Sequence, residues 1–403
     1  KCPSNTSGSI VVSRPNRRAD PVPITANLDR VMPYCVDLPA DPAIRRILVM
    51  KWSAMGDVII ATALFEDIAR AFPGREIHLN TLPPWKHLFQ DDPRFQQVFS
   101  FDLRGREHSY REMWRWLRHV RRMQYDLVID LQTTDRSRLL LGLLGLSGQR
   151  IPYRLGNHPI LPYNIAPPRL KQSTHAIDRM RAALRAGGIV ARTPRPVLHI
   201  PDRNRERAHK LQQTHDLRTG DYAVFFPGCQ AAGHLKRWGA SRYAALAQRL
   251  RDTEGLSKVV LIGAKDEMEE CQRIERDCSL WLVNLCGQTE ILDIVPLCEP
   301  ARLLVANDTG TAHVAAATDR PMVVICGPTD PHRVKPLGDN VVALQADLPC
   351  INCYQKDCAH HSCMPAITPD RVMATLRALQ TFERDRREGS ASTAVAGSGS
   401  VPG

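Results

Sequence analysis

The chain has 403 residues and a formal net charge of +12, with 43 % hydrophobic and 24 % charged residues. This length exceeds what one hydrophobic core usually serves, so we expect two domains of about 150–200 residues each. The composition is globular and argues against a membrane-spanning protein, because the richest apolar segment, Leu139–Leu146, is far shorter than the roughly 20 residues that cross a bilayer.

The positive charge suits an acidic ligand or an anionic surface. Nucleic acid is one such ligand, but the sequence has no zinc-finger spacing, aromatic RNA-binding signature or heptad-linked basic region, so we predict no specific nucleic-acid binding. The sequence begins at Lys1 without a basic segment followed by an apolar one. We therefore expect no secretory signal and a cytoplasmic location. The positive charge leaves the inner face of the cytoplasmic membrane open as one site within the cytoplasm.

Strands and helices alternate after an irregular start. Residues 1–44 are rich in Pro, Arg, Asp and Ser, and we interpret them as a poorly ordered extension. An N-terminal domain is predicted over 45–195, with helices over about 58–72 and 137–146. Its predicted strands are Ile47–Met50, Glu76–Asn80 and Asp126–Asp130.

The same alternation resumes after a proline-containing linker, Thr193–Asp202. It predicts a C-terminal domain over 196–369, a C-terminal helix over 370–388 and a flexible tail over 389–403. The predicted strands of this domain are Tyr222–Phe226, Lys258–Ile262, Leu303–Val305 and Met322–Cys326. The pattern indicates two doubly wound parallel sheets, whose ligands bind beyond the carboxyl ends of the strands.

One loop of the C-terminal domain, Asn307–His313, lies between a predicted strand and a helix. The backbone N–H groups of Thr309, Gly310 and Thr311 would bind a diphosphate at the helix N-terminus. Asp308 would repel phosphate and is suited to sugar hydroxyls, and we expect His313 to order the turn by packing. The alternative is an ordinary helix N-cap.

Two further loops contain candidate functional residues. Gly228 and Lys236 follow the strand ending at Phe226, and the lysine is suited to neutralising a phosphate, although most lysines only solvate a surface. Ser53–Asp57, which includes Gly56, follows the first strand of the N-terminal domain. Asp57 is a candidate general base toward an acceptor hydroxyl, and the alternative is a helix cap.

Two segments suggest additional interactions. The cysteines Cys350, Cys353, Cys358 and Cys363 have a spacing that suits tetrahedral zinc or iron, with disulfides or free thiols as the alternatives. Arg104–Met123 contains seven arginines, with Met113, Trp116, Leu117 and Val120 at helical spacing. A solvated basic helix is the ordinary explanation, and attraction to a phosphorylated acceptor or an anionic membrane is the functional one.

Together these segments resemble the glycosyltransferase family 9 heptosyltransferases, over about Ile47–Leu376. The segments that show the resemblance are ILVMKWSAMGDV, YDLVIDLQTTDRS, the Lys-Arg-Trp segment ending at Trp238, and NDTGTAH followed by GPTDP. The resemblance implies a GT-B fold, in which two Rossmann-like doubly wound domains, an acceptor domain and a nucleotide-sugar domain, face a central cleft. The sequence differs from the family pattern at Gly239, where proline is usual.

The resemblance also implies inverting transfer of heptose from ADP-heptose to an acceptor hydroxyl of the lipopolysaccharide core or a related cell-envelope glycan, without a catalytic metal. Asp57 matches the proposed base, Lys236 the diphosphate ligand and Asp308 the residue that binds heptose hydroxyls. Thr309 and Gly310 match the phosphate-binding turn, and Glu267 the acidic residue on the ribose.

Other functions remain open at this stage. The alternative among enzymes is transfer from another nucleotide sugar to a protein or a secondary metabolite. A binding module for nucleotide sugars or nucleic acid is the alternative outside enzymes.

Overall fold

The protein is described by a computed structural model. It describes residues 36–102, 109–132, 134–148, 151–171, 174–229, 231–278 and 281–381. The predicted extension up to residue 35, the first residues of the arginine-rich segment (103–108) and the tail from residue 382 lie outside these ranges. The chain divides into two compact units between Pro201 and Asp202.

The N-terminal unit contains a five-stranded parallel sheet with the order β3-β2-β1-β4-β5. Its strands are β1 (Arg46–Met50), β2 (Glu76–Thr81), β3 (Gln97–Ser100), β4 (Leu127–Asp130) and β5 (Tyr153–Leu155). Its helices are α1 (Met55–Ala71), α2 (Pro83–Lys86), α3 (Ser109–Met123), α4 (Asp135–Leu146) and α5 (Ala176–Ala186). The central strands β1 and β4 are almost wholly apolar because helices cover both faces of such a sheet.

Two boundaries in this unit differ from the prediction. Helix α1 begins at Met55 rather than near Val58, so Asp57 lies in its first turn rather than in the loop before it. Part of the predicted extension is packed: Leu38 and Ile44 are fully buried, and the Leu38 N–H donates to the Gly187 carbonyl at 3.1 Å. The composition did not predict this packing, because the few apolar residues that are buried lie in a polar, proline-rich stretch.

The predicted linker is also fastened to the N-terminal unit. Thr193 Oγ1 donates to Asp67 Oδ1 of α1 at 2.6 Å, and the Val197 N–H donates to Thr62 Oγ1 at 3.0 Å. These bonds hold residues 193–197 against helix α1. The division between the units therefore falls after them, at residue 201.

The C-terminal unit contains a six-stranded parallel sheet with the order β11-β10-β9-β6-β7-β8. Its strands are β6 (Tyr222–Phe226), β7 (Lys258–Leu261), β8 (Leu282–Asn284), β9 (Leu303–Asn307), β10 (Met322–Cys326) and β11 (Val341–Gln345). Its helices are α6 (Asp202–Thr214), α7 (Ala240–Glu254), α8 (Met268–Cys278), α9 (Ile294–Cys298), α10 (Gly310–Ala315), α11 (Pro331–Val334) and α12 (369–381). Short 3₁₀ turns occupy Ala231–Lys236, Lys265–Glu267 and Ile291–Asp293.

Trp238 anchors the core of the C-terminal unit. Its ring is fully buried, makes an edge contact with Tyr243 at 5.0 Å between centroids, and its Nε1 donates to the Ile367 carbonyl at 2.8 Å. The next residue, Gly239, has φ of 104°, a conformation that proline cannot adopt. The backbone conformation at this position therefore suits the glycine of this chain and excludes the proline that is usual in the family.

Within the described ranges, no helix combines the length and the apolar character needed to cross a bilayer.

Candidate functional site

In the C-terminal unit, the predicted donor-binding loops meet where the winding of the sheet reverses. Strands β6 and β9 are neighbours, and the chain winds away from them in opposite directions to β8 and β11. The loops that leave their carboxyl ends therefore lie side by side, in the position where open parallel sheets bind ligands. Gly228 follows β6, and Asp308 follows β9.

Lys236 and Asp308 are 72 residues apart in sequence and form an ion pair. Lys236 Nζ lies 2.7 Å from Asp308 Oδ2, which also accepts a hydrogen bond from Thr329 Oγ1 at 2.8 Å. Asp308 is buried, whereas 31 % of the Lys236 side chain is exposed. Lys236, the residue predicted to bind phosphate, and Asp308, the residue predicted to bind the sugar, thus lie in one site. The side chain of Lys236 is partly exposed there.

Asn307, which the sequence analysis did not single out, ties the two loops together. It is fully buried, and its Oδ1 accepts hydrogen bonds from the Trp238 N–H at 3.3 Å and from Tyr243 Oη at 3.0 Å. Its Nδ2 donates to the Pro227 carbonyl. The signal in the sequence was a polar residue at the end of an apolar strand.

The turn after β9 has the predicted geometry of a helix start. Thr309 is the N-cap of α10, and Gly310 is its first residue. Thr309, Gly310 and Thr311 are only half-buried, while His313 is buried in the helix. This arrangement provides donors for an anion at the end of the helix that lies next to the Lys236–Asp308 pair.

Glu267 occupies a narrow space between two glycines. A Cβ atom on Gly228 would lie 2.2 Å from Glu267 Cδ, and one on Gly263 would lie 2.8 Å from Glu267 Oε2. The carboxylate accepts a hydrogen bond from the Ala264 N–H at 2.7 Å, and burial raises its pKa. Glu267 is therefore positioned beside the loop that follows β6.

The N-terminal unit repeats this arrangement at its own reversal point, between β1 and β4. The loop after β1 contains Ser53 and leads into helix α1, whose first turn contains Asp57. Ser53, Gly56 and Asp57 are all half-buried. Asp57 is therefore partly exposed, while its backbone is part of a helix.

A buried lysine, Lys51, lies close to this carboxylate. Its Nζ donates to the Ser53 carbonyl at 3.2 Å, and only 4 % of the residue is exposed. Burial lowers the pKa of Lys51, while the negative charges of Asp57 and Asp130 oppose that change. The sequence analysis missed Lys51, although a lysine that directly follows four apolar strand residues was a visible signal.

Asp130 and Gln132 hold the loop after β1 from the neighbouring strand. Asp130 is fully buried and accepts hydrogen bonds from Tyr163 Oη at 2.5 Å and the Gln132 N–H at 2.7 Å; burial raises its pKa. Gln132 Oε1 accepts from the N–H groups of Trp52 and Ser53 at 2.8 and 3.0 Å. These contacts fix the backbone next to Asp57.

The four clustered cysteines are free thiols. Cys350 and Cys353 are exposed, and Cys358 and Cys363 are half-buried. Burial raises the pKa of Cys363, and Cys353 and Cys350 are near enough to raise it further. In the part of the chain that the structure describes, no three His, Cys, Asp or Glu side chains are gathered in a way that could hold a metal ion. A structural zinc or iron stays a prediction, which metal analysis of the purified protein would test.

The chain has two parallel-sheet α/β units. Each unit has polar loops where the winding of its sheet reverses, which is the position at which proteins of this class bind ligands. A model of glycosyltransferase family 9 (heptosyltransferase) matches residues 113–363, more than half of the chain. The chain belongs to this family and is a glycosyltransferase. The predicted GT-B fold class, with two Rossmann-like units, is confirmed.

The chain is similar to lipopolysaccharide heptosyltransferase 2 of Escherichia coli K12, with 26 % identity over 349 residues, 83 % of this chain and 98 % of the relative. Its fold is similar to that of a family 9 glycosyltransferase from Veillonella parvula (TM-score 0.71, 21 % identity, covering 86 % of this chain and 98 % of the other). It is also similar in fold to the E. coli ADP-heptose LPS heptosyltransferase II (TM-score 0.65, 24 % identity, covering 84 % and 99 %).

Proposed function

We propose that this glycosyltransferase transfers heptose from ADP-heptose, with inversion, to a hydroxyl of a glycolipid acceptor in the lipopolysaccharide core. The relative named lipopolysaccharide heptosyltransferase 2 is similar to this chain over 98 % of its own length, and the structure of ADP-heptose LPS heptosyltransferase II is similar in fold over 99 %. The net charge of +12 suits both an anionic donor and a phosphorylated acceptor. We place the reaction in the cytoplasm, at the inner face of an anionic membrane that presents the acceptor.

The observation that carries the proposal is the Lys236–Asp308 pair beside the start of α10. The lysine and the N–H groups of Thr309–Thr311 bind the diphosphate, and Asp308 accepts hydrogen bonds from heptose hydroxyls. Because Lys236 is partly exposed, its ammonium can contact phosphate while it still restrains Asp308. Glu267 binds the ribose hydroxyls from the adjoining loop.

In the proposed reaction, Asp57 takes the proton from the acceptor hydroxyl. The resulting oxygen nucleophile attacks the anomeric carbon from the face opposite the diphosphate. The new C–O bond forms as the bond to the β-phosphate oxygen breaks, which inverts the anomeric centre. ADP leaves with the electron pair, and its developing charge is stabilised by Lys236 and the backbone N–H groups.

The Asp57→Asn variant tests the base. We expect turnover to fall roughly 100-fold or more, with donor affinity unchanged, because the amide cannot accept the proton. Asp202→Asn is the matched control, since Asp202 is also an aspartate in the first turn of a helix and is exposed. Undiminished turnover of Asp57→Asn would refute the role of Asp57.

A donor panel tests the substrate. Purified protein is incubated with ADP-heptose, UDP-sugars or GDP-sugars and a cell-envelope extract, and mass spectrometry identifies the glycan that gains mass. We expect a heptose to be added to a lipopolysaccharide-type glycolipid. Transfer from a UDP- or GDP-sugar, or to a protein, would contradict the proposed donor or acceptor while leaving the enzyme class intact.

A further inference from the structure

Helix α3 presents an exposed face that combines aromatic rings with positive charge. Tyr110 is 77 % exposed and Trp114 is 67 % exposed, while Trp116 on the opposite face is fully buried. Arginines 111, 115, 118, 121 and 122 are all exposed. At about 100° per residue, these exposed positions fall within an arc of about 140°. The helix therefore has one packed face and one basic, aromatic face.

Helix α4 and the loop after β5 continue this surface with exposed leucines. Leu146 is 85 % exposed and Leu161 is 84 % exposed. A shallow groove runs between the helix and the loop, lined by Leu139, Leu161 and Pro162 together with Arg136 and Arg138. These apolar walls stay open to solvent although the remaining leucines of α4 pack inward.

An acidic residue also lines this groove but is already neutralised. Asp135 lies 2.7 Å from the Arg138 guanidinium. The groove is therefore lined by two arginines and one aspartate.

The two helices share one side of the N-terminal sheet. The connections from β3 to β4 and from β4 to β5 both run in the same direction along the sheet, and right-handed crossovers place both helices on the same face. Helices α3 and α4 pack against each other there. Among the described residues, the four most exposed large apolar side chains are Leu146, Leu161, Tyr110 and Trp114, and all four belong to this surface.

We propose that α3, α4 and the loop at Leu161 form a docking surface for an anionic lipid bilayer, with the aromatic rings and leucines entering the interface and the arginines binding headgroups. Interfacial helices combine these features in this way. Nucleic acid would use the arginines and the Trp114 ring, but it would gain little from the exposed leucines. A second copy of the chain would bring two arginine-rich faces together, which repel.

This surface rests on the proposed function in one respect, because it would place the enzyme where a glycolipid acceptor resides. Its test needs no transfer reaction. The full-length protein is sedimented with vesicles of phosphatidylethanolamine and phosphatidylglycerol, and with vesicles of phosphatidylcholine alone. We expect binding to the anionic vesicles that weakens with salt, and little binding to the neutral ones.

Two double variants probe the two contributions. Arg118→Gln with Arg122→Gln should weaken binding to anionic vesicles about 30-fold. Trp114→Ala with Leu161→Ser should remove the binding that persists at high salt. The matched controls are Arg276→Gln, at an exposed arginine of the C-terminal unit, and Val190→Ser, at a 56 % exposed apolar residue elsewhere in the N-terminal unit. All these side chains are exposed, so unfolding temperatures should stay unchanged.

Absence of vesicle binding, equal binding to both lipid compositions, or equal weakening by the controls would overturn the docking surface. Tight salt-dependent binding of DNA or RNA that the arginine variant abolishes, without vesicle binding, would assign the surface to nucleic acid instead. Affinity for ADP, measured by calorimetry on the same proteins, reports the proposed function separately. Loss of vesicle binding with intact ADP affinity is the result expected for the variants.

Discussion

Replacing Gly228 by alanine should weaken donor binding through Glu267. An alanine Cβ would lie 2.2 Å from Glu267 Cδ and 2.4 Å from Oε1. Carbon atoms in contact are about 3.5–4.0 Å apart, so the carboxylate must move by about 1.3 Å or more. Glu267 is nearly fully buried and bonded to the Ala264 N–H, so it cannot move this far without losing its position.

The magnitude follows from the contact that is lost. A hydrogen bond that involves a charged group contributes about 1.5–3 kcal/mol. If Glu267 binds the ribose, its displacement should weaken ADP binding roughly 10- to 150-fold. Turnover at saturating donor should change much less, because the reacting centre is not touched.

Isothermal titration calorimetry with ADP measures this effect. Gly233→Ala is the matched control, because the nearest atom to its Cβ would be Cys229 Sγ at an ordinary 3.5 Å. The Glu267→Ala variant and the double variant complete a mutant cycle. Since the shorter side chain removes the clash, the double variant should bind ADP no more weakly than Glu267→Ala alone. Normal ADP affinity in Gly228→Ala, or an additive loss in the double variant, would refute the reasoning.

Three further predictions concern buried groups. Lys51→Met should lower turnover, because the hydrogen bond from Lys51 Nζ to the Ser53 carbonyl, which restrains the loop before Asp57, is lost; Lys51→Arg should restore much of the activity, and unchanged turnover in Lys51→Met would contradict this role. Burial raises the pKa of Glu267 above its unfolded value of 4.5, so the ionised side chain destabilises the fold at high pH; this penalty shrinks as pH falls below the folded pKa and is gone below the unfolded one. The stability of Glu267→Gln relative to the wild type should therefore increase as pH rises above 4.5, and a difference that does not change with pH would be the contrary result. Trp238→Phe should lower the free energy of unfolding in urea by about 2–3 kcal/mol, through a lost hydrogen bond and a cavity. The exposed Trp114→Phe should change it by less than about 0.5 kcal/mol, and equal effects would show that burial is not the cause.

The central strands could be predicted because both faces of each are buried, which produces continuous apolar runs such as those of β6 and β10. All four edge strands were missed: β3, β5 and β8 have only three or four residues, and β11 has five. Helix α6 was missed for another reason. It buries only Asn204 and Ala208, so its sequence lacks the apolar stripe by which a helix is recognised.

The amino-acid sequence by itself determined the alternation of strands and helices, the two-unit organisation and the loops that follow the central strands. It also determined the buried face of α3, since Trp116 and Val120 recur at helical spacing. These properties depend on residues that are close together in the sequence, so the spacing of apolar residues is enough to predict them.

Only the tertiary structure decided which loops meet and which side chains pair. Lys236 meets Asp308 and Glu267 fills the space beside Gly228 because strand order brings distant segments to one sheet edge. The exposure of Trp114 and Leu161 on one surface was likewise decided by the packing of α3 and α4. Such contacts depend on chain topology, and hydrophobic periodicity carries no information about partners dozens of residues away.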